Sequence, residues 1–354
     1  MLDIKNITIT PKMLNSISEI DEFKGKWTAT QDLAPDRLSS LKRIATIESV
    51  GSSTRIEGAR LTDEDVEKLL SKLKQKSFAT RDEQEVAGYA DTMDMVFESY
   101  AVITLTDNHI KQLHSILLKY SAKDEDHRGK YKTITNHVEA FDADGKSVGV
   151  VFQTATPFDT PLMMKELIEW YNEQINEVTL HPLLLIAIFI NVFLAIHPFK
   201  DGNGRLSRIL TTLLLLRANY SYVPYSSMEN IIEENKENYY LALRRTQQTI
   251  HTANQNWEPW ITFFLKVMVR QKENLTRKVS AERSLKATLP ALSRTIMEMV
   301  HSRGEITVRE IEEATNASRN TIKSHLKKLT EQEYLVAIGK GRGVRYIIKN
   351  LDEI

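Results

Sequence analysis

The chain has 354 residues, 42% hydrophobic and 27% charged, the profile of a globular protein with room for roughly two or three domains. Lys+Arg and Asp+Glu balance at 47 each, so a charged partner must be sought in local asymmetry, and the absence of cysteine excludes disulfides, thiolate zinc sites and a cysteine nucleophile. MLDIKNITIT shows no apolar leader, and the apolar run 182–196 is short for a membrane span and carries Asn191, which points to a cytoplasmic location.

Most of the chain reads as helix. Pro35 and Asp36 open a helical pattern over 35–58 that Gly58 ends. Thr62 caps another over 62–75, with acids in its first turn and lysines in its last. Further helices are expected at 83–101, 107–119, 160–178, 183–196, 204–218, 229–249 and 257–275. Between 129 and 158, β-branched and aromatic residues gather around DADGK, an Asp-Gly signal for one β-hairpin. Residues 270–290 read as a charged connecting helix or linker. From about 285, three short helical segments precede VAIGKGRGVRYIIK, which reads as two strands around a glycine-rich turn; together they form the pattern of a winged helix-turn-helix.

The stretch HPFKDGNGRLSR (197–208) lies between two apolar runs and carries the chemistry. Gly202 and Gly204 flank Asn203 where a helix begins, so backbone N–H groups and the positive helix end make an anion cradle. Arg205 and Arg208 project from one face, and two guanidinium forks beside an amide nest suit a polyphosphate. Asp201 is placed to hold Mg²⁺ against such phosphates. A neutral His197 imidazole, ending the buried helix, could take a proton from an attacking hydroxyl. The chain contains no Walker A pattern, and GKGRG (339–343) lacks the strand–helix context of a dinucleotide loop.

His197-Pro198-Phe199, Asp201 through Arg205, and Arg208 match the signature HPFx(D/E)GNGRxxR, and the region 40–275 resembles the Fic family. The resemblance implies a protein adenylyltransferase moving AMP from ATP to a Ser, Thr or Tyr hydroxyl of a target protein; the enzyme itself is a further candidate target. It makes His197 the catalytic base and Asp201 the Mg²⁺ ligand. It assigns the anion hole to Gly202, Asn203 and Gly204, and the β- and γ-phosphates to Arg205 and Arg208. It implies an adenine pocket with Tyr239, Tyr240 and Gln247, where the family more often has Asn in place of Gln247. The hairpin becomes a flap that docks the target by strand addition, with Gly149, Val150, Val151 and Phe152 on its inner strand. SSTRIEG matches the family's inhibitory motif (S/T)xxxE(G/N) through Ser53, Glu57 and Gly58. Glu57 paired with Arg208 would withhold that arginine from the γ-phosphate.

The expected fold class is therefore mainly α: a Fic-type helical domain with a β-hairpin flap, plus a C-terminal winged helix-turn-helix domain. The expected division is an N-terminal helical region with the inhibitory helix (1–105), the Fic catalytic domain (106–275), a linker (276–290) and the winged helix (291–354). Two other functions fit the same residues: removal of AMP at the same site by a water that Glu57 orients, and DNA-binding regulation with a nucleotide-sensing Fic domain. Between 318 and 349 eight basic residues face two acidic ones. DNA contacts are expected from Arg319, Asn320, Thr321 and Lys323 on a recognition helix and from Lys340 and Arg342 on the wing. The same unit could instead serve protein contact or a homodimer. No membrane partner is expected.

Overall fold

A computed structural model describes residues 7–29, 35–71, 78–136, 138–141, 147–178, 180–250, 252, 254–332, 334–339 and 341–348. The chain divides into two compact units, Met1–Gln31 with Leu41–Asn274, and Asp32–Ser40 with Leu275–Ile354.

In chain order the elements are α1 (Pro11–Ala29), α2 (Pro35–Ile56), α3 (Asp63–Ser71), α4 (Arg81–Ser99), α5 (Asp107–Leu117), β1 (Val138–Phe141), β2 (Ser147–Phe152), α6 (Thr160–Glu177) and α7 (Pro182–Ile196). They continue with α8 (Asn203–Arg217), α9 (Met228–Glu234), α10 (Lys236–Gln247), α11 (Glu258–Thr288), α12 (Ala291–Arg303), β3 (Glu305–Thr307), α13 (Val308–Thr315), α14 (Arg319–Glu331), β4 (Leu335–Ile338) and β5 (Arg345–Ile348).

The core of the first unit is the α7–α8 pair. Every residue from Leu183 to Ile196 is buried, as is every residue from Arg205 to Leu216. Burying each large apolar side chain is worth roughly 1.5–3 kcal/mol, so these two helices fix the loop between them firmly. His181 starts α7: its side chain accepts from the Leu183 N–H at 3.3 Å, and Pro182 fills the first helical position. Helix α6 packs on α7, and α4 packs on both α5 and α8. A capping box of Thr80 and Glu83 starts α4.

The sequence and the structure part company in four places. Helix α1 was not expected, although Met13, Ile17 and Ile20 bury one face at helical spacing. The helix expected over 229–249 is two helices, broken at Asn235, whose side chain donates to the Ile231 carbonyl at 2.8 Å and competes with the backbone ladder. The segment read as a linker is largely the continuation of α11. The winged unit has a third strand, β3, giving an antiparallel sheet of order β3-β5-β4. Its core is Ile296, Val300, Ile306, Ile311, Ile322, Leu326, Leu329 and Leu335. Among the described residues, no helix is long and apolar enough to cross a membrane.

Candidate functional site

Helix α7 ends where His197 turns into the left-handed region (φ 52°, ψ 61°), its N–H still closing on the Phe193 carbonyl at 2.9 Å. That conformation is costly for a residue with a Cβ and persists only where the surroundings hold it. The imidazole Nδ1 lies 3.3 Å from the Leu194 carbonyl. A carbonyl can only accept, so Nδ1 carries the proton and Nε2 keeps a free lone pair. Burial lowers the His197 pKa to about 4, so the ring is neutral, with an unprotonated Nε2.

The loop after His197 is closed by its own side chains. Asn203 Oδ1 accepts from the Phe199 N–H at 2.9 Å, and its Nδ2 donates to the Phe199 carbonyl at 2.7 Å. The amide of Asn203 thus braces the loop with one donor and one acceptor, beside the backbone N–H groups of the anion cradle. Gly202 takes φ 79°, which an ordinary residue adopts only with strain. His114 of α5 stacks on Phe199 with ring centroids 3.8 Å apart. Its Nδ1 accepts from the Gly129 N–H at 2.9 Å, so its Nε2–H donates to the Asp201 carbonyl, also at 2.9 Å. Burial brings this imidazole, too, down to about 4.

Asp201 belongs to a closed ring of alternating charges. Arg81 reaches Glu85 at 2.7 Å and Asp201 at 3.2 Å; Arg205 reaches Glu85 at 3.1 Å and Asp201 at 3.2 Å. Burial pushes the Asp201 carboxyl up, but Arg205, the Gly202 N–H and Arg81 outweigh it and hold the pKa below the usual carboxylate range. Arg205 is 2% exposed between its two carboxylates, and its Nε and Nη1 make no hydrogen bond within the described residues. Among the described residues, no group of three or more His, Asp or Glu could hold a metal unaided. A single ionised carboxylate is nevertheless the donor that suits Mg²⁺ when phosphate and water oxygens supply the rest.

Arg208, buried on α8, makes three hydrogen bonds to the end of α2, with the Tyr239 hydroxyl of α10 beside it. Its Nη2 donates to Glu57 Oε1 at 2.7 Å and to the Ser53 carbonyl at 2.9 Å, and its Nε donates to Ser53 Oγ at 2.8 Å. The Glu57 carboxylate lies on the first turn of α8: a Cβ at Gly204 would fall 2.2 Å from Oε1. A carboxylate therefore stands where the unpaired amides of a helix start attract anions. Gly58, at φ 106°, follows directly. The end of α2 is tied down by Arg55, which forks onto Glu233 of α9 at 2.7 and 3.0 Å and reaches Asp63 at 2.9 Å.

The residues expected around adenine divide. Tyr239 is buried against Trp260 and Phe263, with centroids 5.7 and 5.8 Å away, and its hydroxyl faces Arg208 and Ser207 at the edge of the anion site. Tyr240 is 42% exposed, and Gln247, seven residues on, lies on the same helical face. Gly149, Val150, Val151 and Phe152 lie on β2, which pairs antiparallel with β1, Glu139 opposite Val150 and Ala140 opposite Gly149. Among the described residues no third strand joins them, so each strand keeps an open edge. The hairpin tip, 142–146, lies outside the described residues.

In the winged unit Ser318 caps α14 by accepting from the Thr321 N–H, and Arg319, Asn320, Thr321 and Lys323 are exposed on its first turns. Lys340 lies outside the described residues; Arg342 follows β4 in the turn 341–343. Sequence reasoning missed Arg81, Glu85, His114 and Arg55. Arg81 and Glu85 carry only an i,i+4 charge signal that solvated helices share, and His114 and Arg55 carry none that sets them apart.

Comparison with known proteins agrees with this geometry. Residues 104–215 match the family model of the Fic/DOC family, and 289–349 match that of the penicillinase repressor. A probable protein adenylyltransferase of Aquifex aeolicus is 31% identical over 100 residues, 28% of each chain. The protein adenylyltransferase Fic of Drosophila melanogaster is 44% identical over 64 residues, 18% of this chain and 13% of that protein. The chain thus aligns with under a third of the length of either relative. A Fic family protein from Desulfovibrio desulfuricans G20 has the same fold over 97% of both chains, with a TM-score of 0.64 at 23% identity. Residues 104–215 are a Fic domain, and a winged helix of the penicillinase-repressor type follows it.

Proposed function

We propose that the protein is a protein adenylyltransferase held inactive by its own α2. The observation that carries this reading is the Glu57–Arg208 pair, 2.7 Å long and seated over Gly204 at the mouth of the anion cradle. In the reaction the oxygen of a target hydroxyl bonds to the α-phosphorus of ATP, the bond from that phosphorus towards the β-phosphate breaks, and pyrophosphate leaves. The hydroxyl proton passes to Nε2 of His197, the lone pair left free by the Nδ1 bond to Leu194. Arg208, released from Glu57, binds the outer phosphates beside the amides at the start of α8. Asp201 is the residue that would hold Mg²⁺, which neutralises charge on the departing phosphates when bound. An extended target segment lies along the open edge of β2.

The test is the Glu57→Gly protein incubated with Mg-ATP and read by mass spectrometry. AMP on the protein itself or on proteins of a lysate, above the wild-type level, supports the reading; equal labelling of the two proteins opposes it. The match of 289–349 to a repressor family supports a second role for the same chain, DNA binding through α14. Gel shifts of the full chain at several salt concentrations test it, since phosphate contacts weaken linearly with log salt.

A further inference from the structure

Lys132 is buried, 4% exposed, and has no carboxylate among its hydrogen-bond partners. Its three ammonium protons go to three neutral oxygens: Asn136 Oδ1 at 2.8 Å, Thr154 Oγ1 at 2.9 Å and the Ile196 carbonyl at 3.0 Å. Asn136 and Thr154 stand at the two roots of the β1–β2 hairpin, and Thr154 Oγ1 also donates to the Asn136 carbonyl at 2.6 Å. Ile196 is the last residue of α7, where carbonyls lack helical partners. The Lys132 N–H donates to the Pro198 carbonyl at 2.9 Å, and Asn136 Nδ2 donates to the Phe199 carbonyl at 2.7 Å. One short segment, 132–136, thus holds carbonyls on both sides of the left-handed His197.

Burying an ammonium against neutral oxygens is a poor way to gain stability, since an apolar side chain would avoid the desolvation. What the arrangement supplies is geometry and charge in one place. We propose that Lys132 is a positioning residue, locking the hairpin roots and the strained His197 turn into one frame. The proposal rests on the adenylyl-transfer reading for its kinetic arm alone. Its second arm is the imidazole itself: burial is the main force depressing the His197 pKa, the bond to the Leu194 carbonyl opposes it, Lys132 depresses it further, and Glu57 and Asp201 also oppose.

In the Glu57→Gly background, Lys132→Met is expected to lower kcat for AMP transfer about 100-fold while leaving the KM for ATP in place, the signature of a misplaced base. In the full chain labelled with ¹³C-histidine, and with His197→Ala to assign its signal, Lys132→Met raises the His197 titration midpoint. Lys132→Arg, which keeps the charge, restores that midpoint and part of kcat. An unchanged kcat, or an unmoved titration in a folded Lys132→Met protein, overturns the proposal. If Glu57→Gly transfers no AMP, the adenylyl-transfer reading fails and the titration alone decides. If Lys132→Met does not fold, Thr154→Val removes one acceptor at equal volume while keeping the Lys132 charge, so it must lower kcat, less far than Lys132→Met is expected to, and leave the titration midpoint in place; an unchanged kcat overturns the proposal.

Discussion

On the proposed reading of α2 as an inhibitory helix, Arg55 holds it without touching the anion site, which makes it the place to loosen the brake while leaving Glu57 intact. Its guanidinium forks onto Glu233 at 2.7 and 3.0 Å, with the two side chains 22% and 29% exposed. The third partner, Asp63, is more exposed and contributes little. A forked, partly buried pair of this kind is worth about 1–2 kcal/mol. Since ~1.4 kcal/mol is a factor of ten, Arg55→Met should raise the fraction of molecules with the end of α2 detached roughly tenfold. If transfer comes from that fraction, the initial rate of self-labelling with labelled ATP rises by the same factor, short of the Glu57→Gly rate. In the Glu57→Gly background the brake is already gone, and Arg55→Met should add nothing. The four proteins form a double-mutant cycle whose non-additivity reports the coupling. An equal gain in both backgrounds, or no gain where Glu57 is present, refutes the account of Arg55 as the anchor.

His114 and His197 stay neutral in the fold down to about pH 4, whereas in the unfolded chain each takes up a proton near 6.5. The unfolded chain therefore binds more protons across that window, and stability, complete above it, falls as the pH drops through it, by up to ~1.4 kcal/mol per pH unit for each imidazole. Urea titrations across the window measure the slope, and His197→Ala should flatten it by about one proton. Gly88 brings α4 against α5 so closely that a Cβ there would lie 2.0 Å from the Leu117 carbonyl oxygen. Gly88→Ala should cost at least about 2 kcal/mol and lower Tm by several degrees; an unchanged melting curve would contradict the close approach. Replacing Arg319 and Lys323 with alanine should reduce the salt dependence of DNA binding by a slope of about two, equally for all sequences if both contact phosphates.

The motif was legible because its residue types are rare together and stand in one continuous run, so the loop at 197–208 and the helix on each side follow from local pattern alone. The inhibitory contact was legible for a different reason: Ser53, Glu57 and Gly58 form a second local motif, although the partner lies 151 residues away. What escaped was non-local. Glu85 and Arg81 become part of the site only because α4 packs on α8, and His114 only because α5 brings its ring onto Phe199. Tyr239 and Tyr240, neighbours in sequence, were assigned one task, but adjacent helical residues point about 100° apart, and only one ring keeps an open face. Asn235 broke a helix that spacing alone made continuous, through a side-chain bond that no periodicity records.

Arg205 and Arg208 look interchangeable as residues of one motif, yet their surroundings give them different work. Arg205 shares a ring of two guanidinium groups and two carboxylates that balances its own charge; its contact with Glu85 is buried, while Arg81 and Asp201 remain partly exposed, so the ring is screened on its outer side. Arg208 draws all of its charge compensation from Glu57. If the end of α2 departs, a buried guanidinium is left facing unpaired helix amides, and that state stays costly until another anion enters. A triphosphate is such an anion. On the proposed reading the carboxylate and the nucleotide compete for one cation, and ATP would oppose the brake in proportion to its concentration over its Kd for the open form. A brake built on Arg205 would have to dismantle the loop to act; built on Arg208, it exchanges one anion for another and leaves the rest of the site standing.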